Sequence, residues 1–149
     1  MTAPSNVPPP SVSPSGSSDA ARIFVVEDHE TMRLTLDAYL SREDDFVVCR
    51  LVKTAEAAIE QIADAQPSLM LIDVSLPQMS GLDLVGWVRE HHPDLPILIL
   101  SGHGEPRYVR NALEAGADGY ILKGHIKQVP LAIRQVLEGE QYLGPQLKI

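Results

Sequence analysis

The chain has 149 residues, enough for one ordinary domain with a single core and too few for two comfortable ones. Its 20 Asp and Glu against 12 Lys and Arg leave a net charge of −8, which argues against direct binding of nucleic acid or an anionic membrane, since both need clustered cations. Cys49 is the sole cysteine, so neither an internal disulfide nor a thiolate metal cage can form, and its apolar surroundings read as those of a buried, inert thiol.

Residues 1–20 differ in kind from the rest. Six serines and five prolines fall among the first eighteen, with almost nothing to bury, so a disordered Pro/Ser-rich tail is expected there. There is no apolar core of a signal peptide, nor an apolar stretch of the ~18 residues needed to span a bilayer, and a cytoplasmic location is the expectation.

From Arg22 onward two periods alternate. Ile23 to Val26 is a short β-branched-rich run, suited to a strand buried on both faces. Met32, Leu34, Leu36, Tyr39 and Leu40 then offer an inward helical stripe, and Phe46 to Cys49 gives a second strand. Ala55, Ala58, Ile59 and Ile62 recur at three- and four-residue steps, predicting a second helix. Leu69 to Ile72 is a third strand that ends at Asp73.

Leu82, Val85, Trp87 and Val88 predict a helix closing near His91-His92, with Pro93 stopping it. Ile97 to Leu100 is the fourth strand. Pro106 suits the first turn of the helix that follows, and Gly116 its left-handed C-cap. Tyr120 to Leu122 is a short fifth strand, and a last helix runs from about Lys127 to Glu138 with Pro130 in its first turn. Five strands alternating with five helices imply an open, doubly wound parallel sheet covered on both faces. Its ligands bind beyond the carboxyl ends of the strands.

The residues at those ends form a set. Glu27 and Asp28 follow the first strand, Asp73 the third, Ser101 the fourth and Lys123 the fifth. Three acids brought together repel one another unless a cation intervenes, and oxygen ligands with room for water suit Mg²⁺. Lys123 offers a point charge for phosphate oxygens and Ser101 a hydroxyl donor. Phosphoryl transfer to a carboxylate needs such a set, with Asp73 as the acceptor. Each residue also has a plainer reading: Glu27-Asp28 as a helix opening, Asp73 as a turn, Ser101-Gly102 as loop chemistry, Lys123 as a solvated cation. Their joint occurrence at the strand ends favours the functional one.

Four segments carry a resemblance to a known family. They are Val25-Val26-Glu27-Asp28, Leu71 to Gly81, Leu100-Ser101-Gly102-His103 and Gly116 to Lys123. With these the chain resembles the receiver domain of bacterial two-component response regulators over residues 22 to about 140. The resemblance implies a flavodoxin-like (βα)5 sandwich with strand order 2-1-3-4-5. It also divides the chain into a receiver domain over 21–140 and a linker stub over 141–149.

The resemblance further implies that Asp73 is phosphorylated by a sensor histidine kinase or phosphotransfer protein. Mg²⁺ would be held by Glu27, Asp28, Asp73 and the backbone carbonyl of Ser75. Ser101 would be the switch hydroxyl, Tyr120 the aromatic that swings inward with it, and Lys123 the partner of the phosphoryl oxygens. The surface remodelled would be the fourth helix, fifth strand and fifth helix, where a homodimer could form. Three departures stand out: Leu76 where Met is usual, Glu27 where Asp is frequent, and Gly124 where many receivers have Pro. Gly124 and the ending Gly139 to Pro145 look like the subfamily that precedes a LuxR-type helix-turn-helix output domain controlling transcription.

Ser75 and His103 flank the approach of hydrolytic water and are expected to tune the lifetime of the phosphoryl group. His29, His91, His92 and His125 show no metal-ligand spacing with acids and read as surface residues. A phosphatase acting through an aspartyl phosphate would need a second acid two residues beyond Asp73, where Ser75 stands. The expectation is therefore a phosphoacceptor that catalyses only its own phosphorylation and slow dephosphorylation.

Overall fold

Four consecutive fully buried side chains, Ile23, Phe24, Val25 and Val26, set the middle of the molecule, because only a strand covered on both sides can bury every residue of such a run. The computed structural model describes residues 19–147, so nearly all of the tail expected over 1–20 lies outside the described residues. In chain order the elements are β1 (Ala21–Val26), α1 (Glu30–Ser41), β2 (Phe46–Val52), α2 (Ala55–Ala65), β3 (Leu69–Asp73) and α3 (Gly81–His91). There follow β4 (Ile97–Ser101), α4 (Pro106–Ala115), β5 (Gly119–Leu122), a 3-10 turn (Lys123–Gln128), α5 (Val129–Leu137) and β6 (Tyr142–Leu143).

The sheet is parallel throughout, in the order 2-1-3-4-5-6. It keeps the expected order and adds a sixth strand. Alternate side chains of each central strand enter opposite layers. Phe24, Val26, Met70, Ile72, Ile97 and Ile99 pack with residues of α2, α3 and α4, whereas Ile23, Val25, Leu69, Leu71, Leu98 and Leu100 pack with α1 and α5.

Helix ends follow local chemistry. Thr54 and Ser80 cap α2 and α3 by accepting hydrogen bonds from the N–H groups of Ala57 and Asp83. Pro106 and Pro130 occupy the first turns of α4 and α5, and Gly116 closes α4 with φ of 121°. The 3-10 turn takes up Lys127, so α5 starts two residues later than expected.

One stripe residue is corrected. Leu34, expected to face inward, is 60% exposed, while Leu36 and Leu40 are fully buried. Two residues along a helix turn the side chain by roughly 200°, so Leu34 must lie opposite Leu36 once Leu36 and Leu40 take the core.

Beyond α5 the chain reverses at Gly139, whose φ is 90°, and runs back along the open edge of β5. Gly119 makes this possible by close approach: a Cβ there would stand 2.9 Å from the Tyr142 carbonyl oxygen and 2.6 Å from Leu98. Residues 142–147, expected as part of a linker stub, thus lie against the domain, with Tyr142 and Leu147 buried. Among the described residues no helix is long and apolar enough to cross a membrane.

Candidate functional site

Because every strand points the same way, the residues that end β1, β3, β4 and β5 meet at one rim. Glu27, Asp73 and Ser101 are the only buried polar or charged side chains among the described residues, each at most 1% exposed. Three such groups in an otherwise apolar core carry a desolvation cost that structural need alone does not explain.

The ion pairs join the strand ends directly. Lys123 Nζ donates to Asp73 Oδ2 at 3.0 Å and lies 3.3 Å from Glu27 Oε1. The Ser75 N–H donates to Asp73 Oδ1 at 3.0 Å, tying the carboxylate to the loop that follows β3. Burial and the nearby Glu27 charge push the Asp73 carboxyl above its ordinary value, against the opposing pull of the Ser75 N–H and Lys123. For Lys123, burial works toward a lower value but Asp73 and Glu27 outweigh it, so its ammonium is held more firmly than usual.

Oxygen atoms remain to be satisfied here. Glu27 Oε1 and Asp28 Oδ1 are buried and accept no hydrogen bond, although the Lys123 ammonium is near the first and His29 near the second. Glu27, Asp28, His29 and Asp73 each place one ligand atom within 4.8 Å of the others. A hard divalent cation fits such a donor set, since it would take up the orphaned lone pairs and offset the repulsion.

Three features were missed in the sequence. His29, read as a surface residue without metal-ligand spacing, is corrected: its ring is exposed, but Nδ1 lies 3.1 Å from Glu27 Oε2 and 3.3 Å from Asp28 Oδ1. Arg33, one turn into α1, donates to the carbonyls of both Glu27 and Asp28 at 2.9 Å and so fixes the acidic turn. Gly81 meets the back of the site: a Cβ there would fall 2.2 Å from the Asp73 carbonyl oxygen. Spacing to the acid pair was the only available signal for the first two.

Ser101 and Tyr120, expected as the switch pair, both meet the backbone of His103. Tyr120 is already inside, 1% exposed, with its hydroxyl donating to the His103 carbonyl at 2.6 Å. Ser101 Oγ meanwhile accepts from the His103 N–H at 3.0 Å. His103 therefore connects Ser101 to Tyr120 through its backbone, while its ring stacks on Tyr108 with centroids 4.6 Å apart. His91, His92 and His125 stand apart from the acidic rim: only His29 joins its donor cluster.

Comparison with known proteins agrees with this geometry. Residues 23–134 match the response regulator receiver domain family. The transcriptional activator protein ExaE of Pseudomonas putida is 36% identical over 122 residues, covering 81% of this chain and 57% of that protein. The response regulator protein VraR of Staphylococcus aureus is 30% identical, covering 86% and 62%. A LuxR-family two-component response regulator from Aurantimonas superposes with a TM-score of 0.82 at 26% identity, covering 86% of this chain and 92% of that one. The receiver domain of a putative NarL regulator from Mycobacterium tuberculosis gives 0.77 at 28%, covering 82% and 99%. The chain spans a little over half the length of the curated relatives it matches.

Proposed function

The chain belongs to the response regulator receiver family, and on that premise we propose that it accepts a phosphoryl group on Asp73 from a sensor histidine kinase or phosphotransfer protein. The observation that carries this reading is the buried Asp73 carboxylate held by Lys123 at 3.0 Å beside two acids, Glu27 and Asp28, each with one buried oxygen that accepts no hydrogen bond. An Asp73 oxygen attacks phosphorus, the P–N bond to the donor histidine breaks, and its electron pair leaves with the imidazole nitrogen, which takes a proton from solvent. Glu27, Asp28, Asp73 and the Ser75 carbonyl would hold Mg²⁺, which would supply positive charge against the phosphoryl oxygens. Lys123 pairs with another of those oxygens, and Ser101 reads the product by turning its hydroxyl toward it.

The group stays on the protein, so the chain signals rather than turns over a substrate. By likeness to the regulators of transcription among its relatives, the output is control of transcription by a domain joined to this one, in the cytoplasm, with the α4, β5 and α5 face serving a partner or a second copy. Incubation with acetyl phosphate and Mg²⁺ should add the mass of one phosphoryl group, and chelation of Mg²⁺ should prevent it. No gain in intact mass under these conditions would sink the reading.

Ser75 and His103 set how long the group survives. The His103 ring, held against Tyr108 beside Ser101, shields the acyl phosphate from water. His103→Ala should lose the phosphoryl group severalfold faster, followed as decay of the phosphorylated mass after the donor is removed; an unchanged rate withdraws the role.

A further inference from the structure

Residues 142–147 are wired to the switch more closely than a spacer needs to be. The Tyr142 N–H donates to the Asp118 carbonyl at 3.1 Å and the Gly144 N–H to the Tyr120 carbonyl at 3.3 Å, so the segment pairs with the strand that carries Tyr120. The Leu147 N–H then turns back onto the Gly144 carbonyl at 2.9 Å. This turn drops the Leu147 side chain, 9% exposed, into the same buried cluster as Tyr120 and Val109.

The seat of Leu147 is the loop after β4. A Cβ on Gly104 would lie 3.4 Å from Leu147 Cδ2, ordinary van der Waals distance, so the Leu147 methyl stands just above the backbone of that loop. The preceding residue, His103, is held by Ser101 Oγ at its N–H and by the Tyr120 hydroxyl at its carbonyl. One chain of contacts thus runs from Ser101 Oγ through His103 and Gly104 to Leu147.

We propose that residues 142–147 form a strap with two positions, seated while Asp73 is free and released when it is phosphorylated. The inference rests on the phosphoacceptor reading above. When Ser101 turns its hydroxyl to the phosphoryl oxygens, the His103 N–H loses its acceptor and the loop moves to recover one. Packed interfaces answer such small shifts by changing between discrete arrangements rather than by stretching, and a leucine at the edge of the buried cluster, seated against the loop after β4, can leave it as a unit. Release uncovers the outer edge of β5, so the α4, β5 and α5 face is open to a partner only in the phosphorylated state.

Hydrogen exchange of the whole chain, read by mass spectrometry on the peptide spanning 142–147, measures the seat through the Tyr142, Gly144 and Leu147 amides. With beryllofluoride and Mg²⁺ these amides should exchange about tenfold faster, and Asp73→Asn should show no such change. Leu147→Asp should give the fast exchange without the phosphoryl mimic while still gaining phosphoryl mass from acetyl phosphate, which shows that the domain remains folded. Phosphoryl uptake with no change at 142–147 overturns the strap alone. No uptake by the unaltered chain overturns the phosphoacceptor reading and the strap with it.

Discussion

Asp73→Asn should abolish phosphoryl uptake altogether and, without divalent cation, raise the midpoint of thermal unfolding. The first effect follows from the loss of the attacking oxygen: an amide in the same place keeps the Ser75 hydrogen bond but cannot form the acyl phosphate. The second follows from charge. The Asp73 carboxyl is pushed above its ordinary value by burial and by Glu27, so near neutral pH the folded state resists an ionisation that the unfolded chain accepts freely. Stability associated with this group is therefore full at low pH and lost as pH climbs past the unfolded value, and a neutral amide escapes that loss. Saturating Mg²⁺ should reverse the ranking. A cation at ten times its dissociation constant stabilises the native protein by about 1.4 kcal/mol, and the variant lacks a ligand to receive it. A variant that still gains phosphoryl mass would place the acceptor elsewhere. One that melts lower than the unaltered chain without cation would show that Asp73 is not a destabilising charge.

The parts of the fold legible in the sequence were those with a strong local pattern. β1, β3 and β4 are apolar runs bounded by polar residues, and the structure buries every residue of β3 and β4. The open, doubly wound class followed from right-handed crossovers, whereas the strand order itself came with the family resemblance. β6 had no such pattern. It is two residues long, and what makes it a strand is Gly119 and Tyr120, more than twenty residues earlier, whose outer edge was otherwise open. Leu34 shows the opposite failure, an apolar residue at workable spacing that the core did not need.

The site was legible for a geometric reason as well. A parallel sheet sends every strand's last residue to one rim, so Glu27, Asp73, Ser101 and Lys123 could be grouped from connectivity before any distance was known. Contacts set by loops were not legible. His29 and Arg33 reach the acidic turn through loop geometry for which closeness in sequence to the acids was the only signal, and Tyr108 meets His103 only because α4 packs where it does. Tyr120 carried the subtler lesson. Its placement was not legible: it is inside and bonded to the His103 carbonyl, while Ser101 accepts from the N–H of the same residue. Both contacts fall on the backbone of His103, so the loop after β4 links the two side chains.

Within α3, two Gly→Ala substitutions should act in opposite directions. Gly81 opens the helix where it abuts the end of β3: its N–H donates to the Val74 carbonyl at 2.9 Å, and a Cβ would lie 2.2 Å from the Asp73 carbonyl oxygen and 2.7 Å from Val74 Cα. Those neighbours are backbone and cannot rotate aside, so Gly81→Ala must push the helix or the Asp73-Val74 peptide out of place. A forced core displacement of this kind costs about 3 kcal/mol, a drop of about 10 °C in the unfolding midpoint for a domain of this size. The peptide displaced is the one that aims the Asp73 carboxylate, so phosphoryl uptake should also slow in protein that remains folded. Gly86 sits in the interior of the same helix, and a Cβ there would have nothing within 4 Å, so alanine meets open space. It removes the entropic cost of a helical glycine and should raise stability by about 0.5–1 kcal/mol with uptake unchanged. Denaturant midpoints and acetyl phosphate time courses on the two variants decide the matter. If Gly81→Ala were as stable and as quickly phosphorylated as Gly86→Ala, close approach of α3 would not be what holds Asp73 in position.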